Sequence, residues 1–107
     1  MVVHRHVVTL LPGIVIPAGG TVNATLDLSP YGWRSCATIA VGAGGAITPS
    51  WSFSFDGVRY FDDMSQTVGQ PYIPPMGSIA VMLRLSNTGT APVNVTAQAA
   101  ILEQGVS

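Results

Sequence analysis

Apolar and polar residues alternate along much of the chain. In "TVNATLDL", Val22, Ala24, Leu26 and Leu28 fall on one face and Thr21, Asn23, Thr25 and Asp27 on the other, the period of two of a half-buried strand. "SIAVMLRLS" repeats the pattern with Ile79, Val81, Leu83 and Leu85 inward, and "VNVTAQAAIL" with Val93, Val95, Ala97, Ala99 and Ile101 inward. No stretch of useful length carries apolar residues at the spacing of an amphipathic helix. An all-β chain is expected, with antiparallel strands that each bury one face.

Turn residues punctuate these runs. "LPG" and "PAGG" bracket "IVI", "SPYGW" follows the strand at 21–28, "GAGGAITP" follows "SCATIAV", and "SNTGTAP" joins the last two strands. Roughly six to eight short strands follow from this spacing, and a single sheet of that size would leave an apolar face in water. The expected fold is a two-sheet antiparallel β-sandwich over residues 1–107, one domain, jelly-roll-like with an immunoglobulin-like topology as the alternative. The cysteine pair of immunoglobulin domains is absent.

"SWSFSFDGVRYFDD", residues 50–63, predicts a hairpin. Asp56-Gly57 is a preferred pair for a two-residue type I′ turn, in which both residues take positive φ. That turn sets Phe55 opposite Val58, Phe53 opposite Tyr60 and Trp51 opposite Asp62, and gathers Trp51, Phe53, Phe55, Val58 and Tyr60 on one face. Such a face is expected to be core, since burying rings is strongly favourable. Asp56, Asp62 and Asp63 lack the ligand spacing of a calcium loop.

The longest irregular stretch, "DDMSQTVGQPYIPPMG" at 62–77, holds prolines at 71, 74 and 75. Prolines exclude a central strand and stiffen the path. Tyr72, Ile73, Pro74, Pro75 and Met76 are therefore the expected contact residues for an oligomer or partner. In "SPYGWRS", Tyr31, Trp33 and Arg34 are the candidate glycan contacts, on an expected loop.

Composition narrows the role. Only 8% of residues are charged, against about 25% in an ordinary domain, so much of the surface is neutral or covered. The charge of −1, with Arg5, Arg34, Arg59 and Arg84 and no lysine, offers no basic stripe for nucleic acid. Gly, Pro and polar residues interrupt every apolar run before it reaches membrane-spanning length, and "MVVHRHVVTLLPG" alternates where a secretory signal would carry an apolar core. No membrane association and no signal peptide are expected. Cys36 reads as a small buried hydrophobe, and the sequons at Asn23 and Asn94 as strand residues. His4 and His6 share a strand face with no evident third ligand, so no metal site is expected, and solvent-facing histidines are. No catalytic motif or cofactor-binding loop is present in the sequence, and no enzymatic activity is expected.

"SWSFSFDGVRYFDD" followed by "IAVMLRLSNTGTAPVNVTAQ" resembles the small β-sandwich structural proteins of tailed-phage and related virions, of the capsid decoration, head-fibre or tail-associated type. The resemblance covers the C-terminal half. It implies a non-enzymatic virion protein that acts through surfaces and assembles in the host cytoplasm. The expectations that follow are a self-associating decoration subunit, favoured as a homotrimer, with a major capsid or other virion protein as its partner. The alternative is a carbohydrate-binding module for host-surface recognition.

Overall fold

A computed structural model describes residues 2–31, 33–65, 68–75 and 77–105, leaving outside it the side chains at 2, 3, 33–37, 104 and 105. Seven strands form: β1 (Val2–Ile16), β2 (Thr21–Asp27), β3 (Trp33–Ala43), β4 (Ile47–Ser54), β5 (Phe61–Ser65), β6 (Ala80–Asn87) and β7 (Val93–Gly105). They lie in two antiparallel sheets, ordered β1-β7-β3 and β2-β6-β4-β5. Tyr72 makes an isolated antiparallel bridge to Ile39 at the free side of β3. That bridge stands where an eighth strand would complete the first sheet, so the order is that of a jelly roll with its sixth strand in sequence, between β5 and β6, reduced to one pair. Among the described residues no helix is long and apolar enough to cross a membrane.

The core is built by the alternation in the sequence. Val81, Leu83 and Leu85 on β6 face Val95, Ala97, Ala99 and Ile101 on β7, and all are buried. Leu26 and Leu28 are buried with them, while Val22 and Ala24 are half-buried at the side of the sandwich. Asn87 staples one end. Its side-chain amide donates to the carbonyls of Ile16 (3.0 Å) and Ala91 (2.9 Å), and its Oδ1 accepts from Gly89 (3.0 Å). A buried amide so fully bonded carries little desolvation penalty and fixes the turn at 88–92.

Several boundaries differ from the sequence pattern: β4 begins at Ile47, inside "GAGGAITP", and β5 takes up residues 62–65 of the stretch expected to be irregular. "LPG" is not a turn, because β1 runs through it, keeping Pro12 opposite Thr96 and leaving out Leu10 and Gly13 in register shifts between Thr9 and Leu11 and between Pro12 and Ile14. Gly13 supplies the positive φ, 93°, that such an irregularity needs. Nor is residues 56–57 a two-residue turn. The β4–β5 ladder closes at Phe53 opposite Phe61 and Ser52 opposite Asp62, leaving 54–60 as a wide loop.

Asp56 explains that loop. Its Oδ1 accepts the amides of Val58 and Arg59, each at 2.8 Å, and Ser54 Oγ accepts the amides of Asp56 and Gly57 at 3.3 and 2.8 Å. Side-chain oxygens thus take the amides that a tight hairpin would turn on its partner strand. A type I′ turn also needs positive φ at both residues, and only Gly57, at 80°, has it.

Candidate functional site

The two stretches singled out in the sequence meet in space. β4 carries Trp51 into the core, 2% exposed, and the proline-rich segment lays Tyr72 on it, 1% exposed. The rings stack with centroids 4.5 Å apart and planes at 7°. Tyr72 is bonded on both sides: its amide donates to Ile39 O (2.8 Å), its carbonyl accepts from Ile39 N (2.9 Å), and its hydroxyl donates to Asp63 Oδ2 (2.5 Å). Burial, then the bond to Asp63, then that carboxylate's charge hold the Tyr72 hydroxyl well above its ordinary pKa. Trp51 Nε1 is buried and has no partner among the described residues.

Tyr72 is therefore a plug and not a contact residue. The expectation that it lies at the surface fails because its ring fills the seam between β3 and β5, where Gly69 N also bonds Val41 O at 3.1 Å. From the same stretch Ile73 is exposed, Pro74 and Pro75 are half-buried, and Met76 lies outside the described residues.

Beside this plug the hairpin presents a patch of rings. Phe53 lies 5.3 Å from Phe55 and 5.8 Å from Phe61, with Phe55 and Phe61 6.2 Å apart. These are tilted contacts at the usual aromatic spacing. Phe55 is 53% exposed, Phe61 45% and Val58 85%. Of the face expected as core, Trp51 is buried and Phe53 and Tyr60 are half-buried, while Phe55 and Val58 are open, because strand alternation in β4 ends at Ser54, which is itself buried under the Asp56 loop. Phe55 also lies beside Gly77, where an added Cβ would sit 3.8 Å from its ring. The loop and the proline-rich segment thus back the patch. Asp56, Asp62 and Asp63 flank it, and the bonds from Arg59 and Val58 hold the Asp56 carboxyl below its ordinary pKa.

The other candidates are placed elsewhere. His6 Nε2 lies 3.0 Å from Glu103 Oε1, and its ring is 4.9 Å from that of Tyr31, so His6 is not merely solvent-facing. Tyr31 is half-buried in this contact and does not stand out as a sugar platform. Trp33 and Arg34 begin β3, paired with Gln104 and Glu103, so they are strand and not loop; their side chains, like that of Cys36, lie outside the described residues. Among the described residues no three His, Cys, Asp or Glu groups converge as metal ligands.

The phenylalanine patch was missed from sequence, since burial and exposure of a ring look alike until a strand's end is known. Neither a family model nor a curated protein sequence matches the chain. Its fold is similar to that in the crystal structure of the Yersinia pseudotuberculosis-derived mitogen (YPM), with a TM-score of 0.56 and 8% identity over 98% of this chain and 87% of that one. At that identity the likeness concerns the fold alone, a two-sheet antiparallel β-sandwich.

Proposed function

We propose that this chain is a non-enzymatic structural subunit of a virion, of the capsid-decoration type, which self-associates and docks on a larger protein surface through its phenylalanine patch. The observation that carries this reading is the exposed Phe55, Phe61 and Val58 around the half-buried Phe53, held by a bonded loop on a chain with few charges. Contiguous apolar surface of this kind marks contact sites, and a rigid patch loses little entropy on docking. The resemblance of "SWSFSFDGVRYFDD" to virion sandwich proteins supplies the partner class: a major capsid or other virion protein.

The test is protein mass spectrometry and antibody labelling of purified particles from the source of the sequence. Regular labelling of head or tail is expected; a chain found only outside particles overturns the virion reading. Particles assembled with the Phe55→Ser/Val58→Asp variant should lack the subunit if the patch is the docking surface.

The same rings favour a second reading, a carbohydrate-binding module, because aromatic faces beside carboxylates and hydroxyls suit sugars. A glycan array separates the two: selective binding lost in Phe55→Ala supports the module, and a blank array supports docking on protein.

A further inference from the structure

The sandwich has four outer strands, and they differ in how they are protected. β1 is interrupted by Pro12 and two register shifts. β3 is covered by the segment around Tyr72, through the bonds Gly69 N to Val41 O and Ile39 to Tyr72. β5 is five residues long, irregular against β4, and carries Asp62 and Asp63. Shortness, bulges, prolines, charges and covering segments are the usual means of keeping a strand edge from pairing. β2 has none of them. Its seven residues run in unbroken register with β6, without proline, glycine or lysine, and its one charge, Asp27, is at the end.

Among the described residues no strand pairs with the outer edge of β2. Gly20 O accepts from Asn87 N (2.9 Å) and Leu28 N donates to Ile79 O (2.7 Å). Antiparallel bonding alternates, so between these points Val22, Ala24 and Leu26 bond β6. The amides and carbonyls of Thr21, Asn23, Thr25 and Asp27 face away from it. The apolar interior is incompletely sealed on this side: Val8, Leu10 and Ile14 of β1 and Val22 and Ala24 of β2 are only partly buried. The opposite seam is closed by the chain's own Tyr72.

We infer that β2 pairs with β2 of a second copy of this chain about a two-fold axis at Ala24, joining the two four-stranded sheets into one of eight strands. The inference rests on the self-associating part of the proposed function and replaces the threefold assembly favoured from sequence with a two-fold contact. The edge is self-complementary in this register. Thr21 meets Asp27 of the second copy and Asn23 meets its Thr25, and all four outward-facing residues on each strand become bonded pairs. The two Asp27 carboxylates stand at opposite ends, so no like charges meet. On the inner face Val22 meets Leu26 and Ala24 meets Ala24, extending the core across the axis. Such an interface is isologous and closes at two copies.

Light scattering on the eluting 107-residue chain, with thermal melts to confirm folding, tests this. The parent should have twice the monomer mass of 11.1 kDa. Asn23→Glu/Thr25→Glu sets carboxylates opposite each other twice and should run as a monomer where the parent is dimeric. Asn23→Glu/Thr25→Lys, equally charged in number but complementary across the axis, should remain a dimer. Thr25→Pro removes an amide that no bond inside the chain uses, and should also give a folded monomer. A parent dimer unmoved by both the Glu/Glu and the Pro variants, or a parent trimer, overturns the β2 contact while leaving self-association standing. A parent that is monomeric at all concentrations overturns both. Dissociation by Glu/Glu and Glu/Lys alike overturns the register.

Discussion

Tyr72 lies flat on Trp51, 4.5 Å away, and hands its hydroxyl proton to a hydrogen bond with Asp63 on the neighbouring strand. One side chain thereby ties a proline-rich segment to two strands of the second sheet, while its backbone bonds the first. The phenylalanine patch is backed by the same segment, which brings Gly77 beside Phe55.

Replacing Tyr72 should separate the stack from the hydrogen bond. Tyr72→Phe keeps the ring and should lower stability by about 1.5–3 kcal/mol, the range for a hydrogen bond to a charged group. Tyr72→Ala should cost about 3–5 kcal/mol, as large aromatic truncations in cores do. Urea unfolding measures both. Equal losses would mean the ring itself contributes nothing.

Alkaline pH should weaken the fold. The folded-state pKa of Tyr72 is raised from its ordinary 10.0, so the neutral form is the one the fold favours. Its contribution is complete below that ordinary value and declines as pH rises above it, where the unfolded chain has released the proton and the folded one has not. Melting temperature should fall above pH 10 in the parent. The Tyr72→Phe variant should show a flatter profile over the same window.

Acid should loosen the 54–60 loop. The Asp56 carboxyl is held below its ordinary value by the Arg59 and Val58 amides, so its support is present above the ordinary carboxylate range and is lost as pH falls through the lowered one. Protection of the Val58 and Arg59 amides, taken relative to the intrinsic exchange rate at each pH, should fall there, and at neutral pH in Asp56→Ala. Gly57→Val, forced to a φ of 80°, should lower stability by about 1–3 kcal/mol. Unchanged exchange in Asp56→Ala would remove the carboxylate as the organiser of the loop.

The exposed ring should be separable from the fold. Phe55→Ser forfeits tilted contacts with Phe53 and Phe61, worth about 0.5–1.5 kcal/mol, and should leave a cooperative melt. A loss as large as that of Tyr72→Ala would make Phe55 a core residue in solution and withdraw it from the docking surface.

The sandwich was legible because alternation is a local signal: Val81, Leu83 and Leu85, like Val93 through Ile101, point inward as their spacing requires. The hairpin was half legible. Asp-Gly favours a tight turn, but the Asp56 carboxylate competes for the amides that would close it, and sequence does not say which acceptor wins. With the turn displaced, Phe55 and Val58 moved from expected core to surface. Tyr72 was illegible for another reason: its partners, Trp51, Asp63 and Ile39, are distant in the chain, and no spacing rule relates them. "QPYIPP" correctly excluded a strand of any length, since the segment makes a single bridge.

The pairing of β1 with β7, from Val2 opposite Gly105 to Ile16 opposite Val93, sets a timetable for synthesis. β7 is the central strand of its sheet, holding β1 and β3 on either side, and it is the last of the seven strands in chain order. Until it emerges, β1 has no neighbour in its own sheet and β3 only the segment around Tyr72, and the inner faces of the second sheet lack most of the surface they pack on. Contacts this distant in sequence make folding slow. The first 92 residues therefore emerge with apolar strands uncovered, and these are open to mispairing until residue 93 arrives.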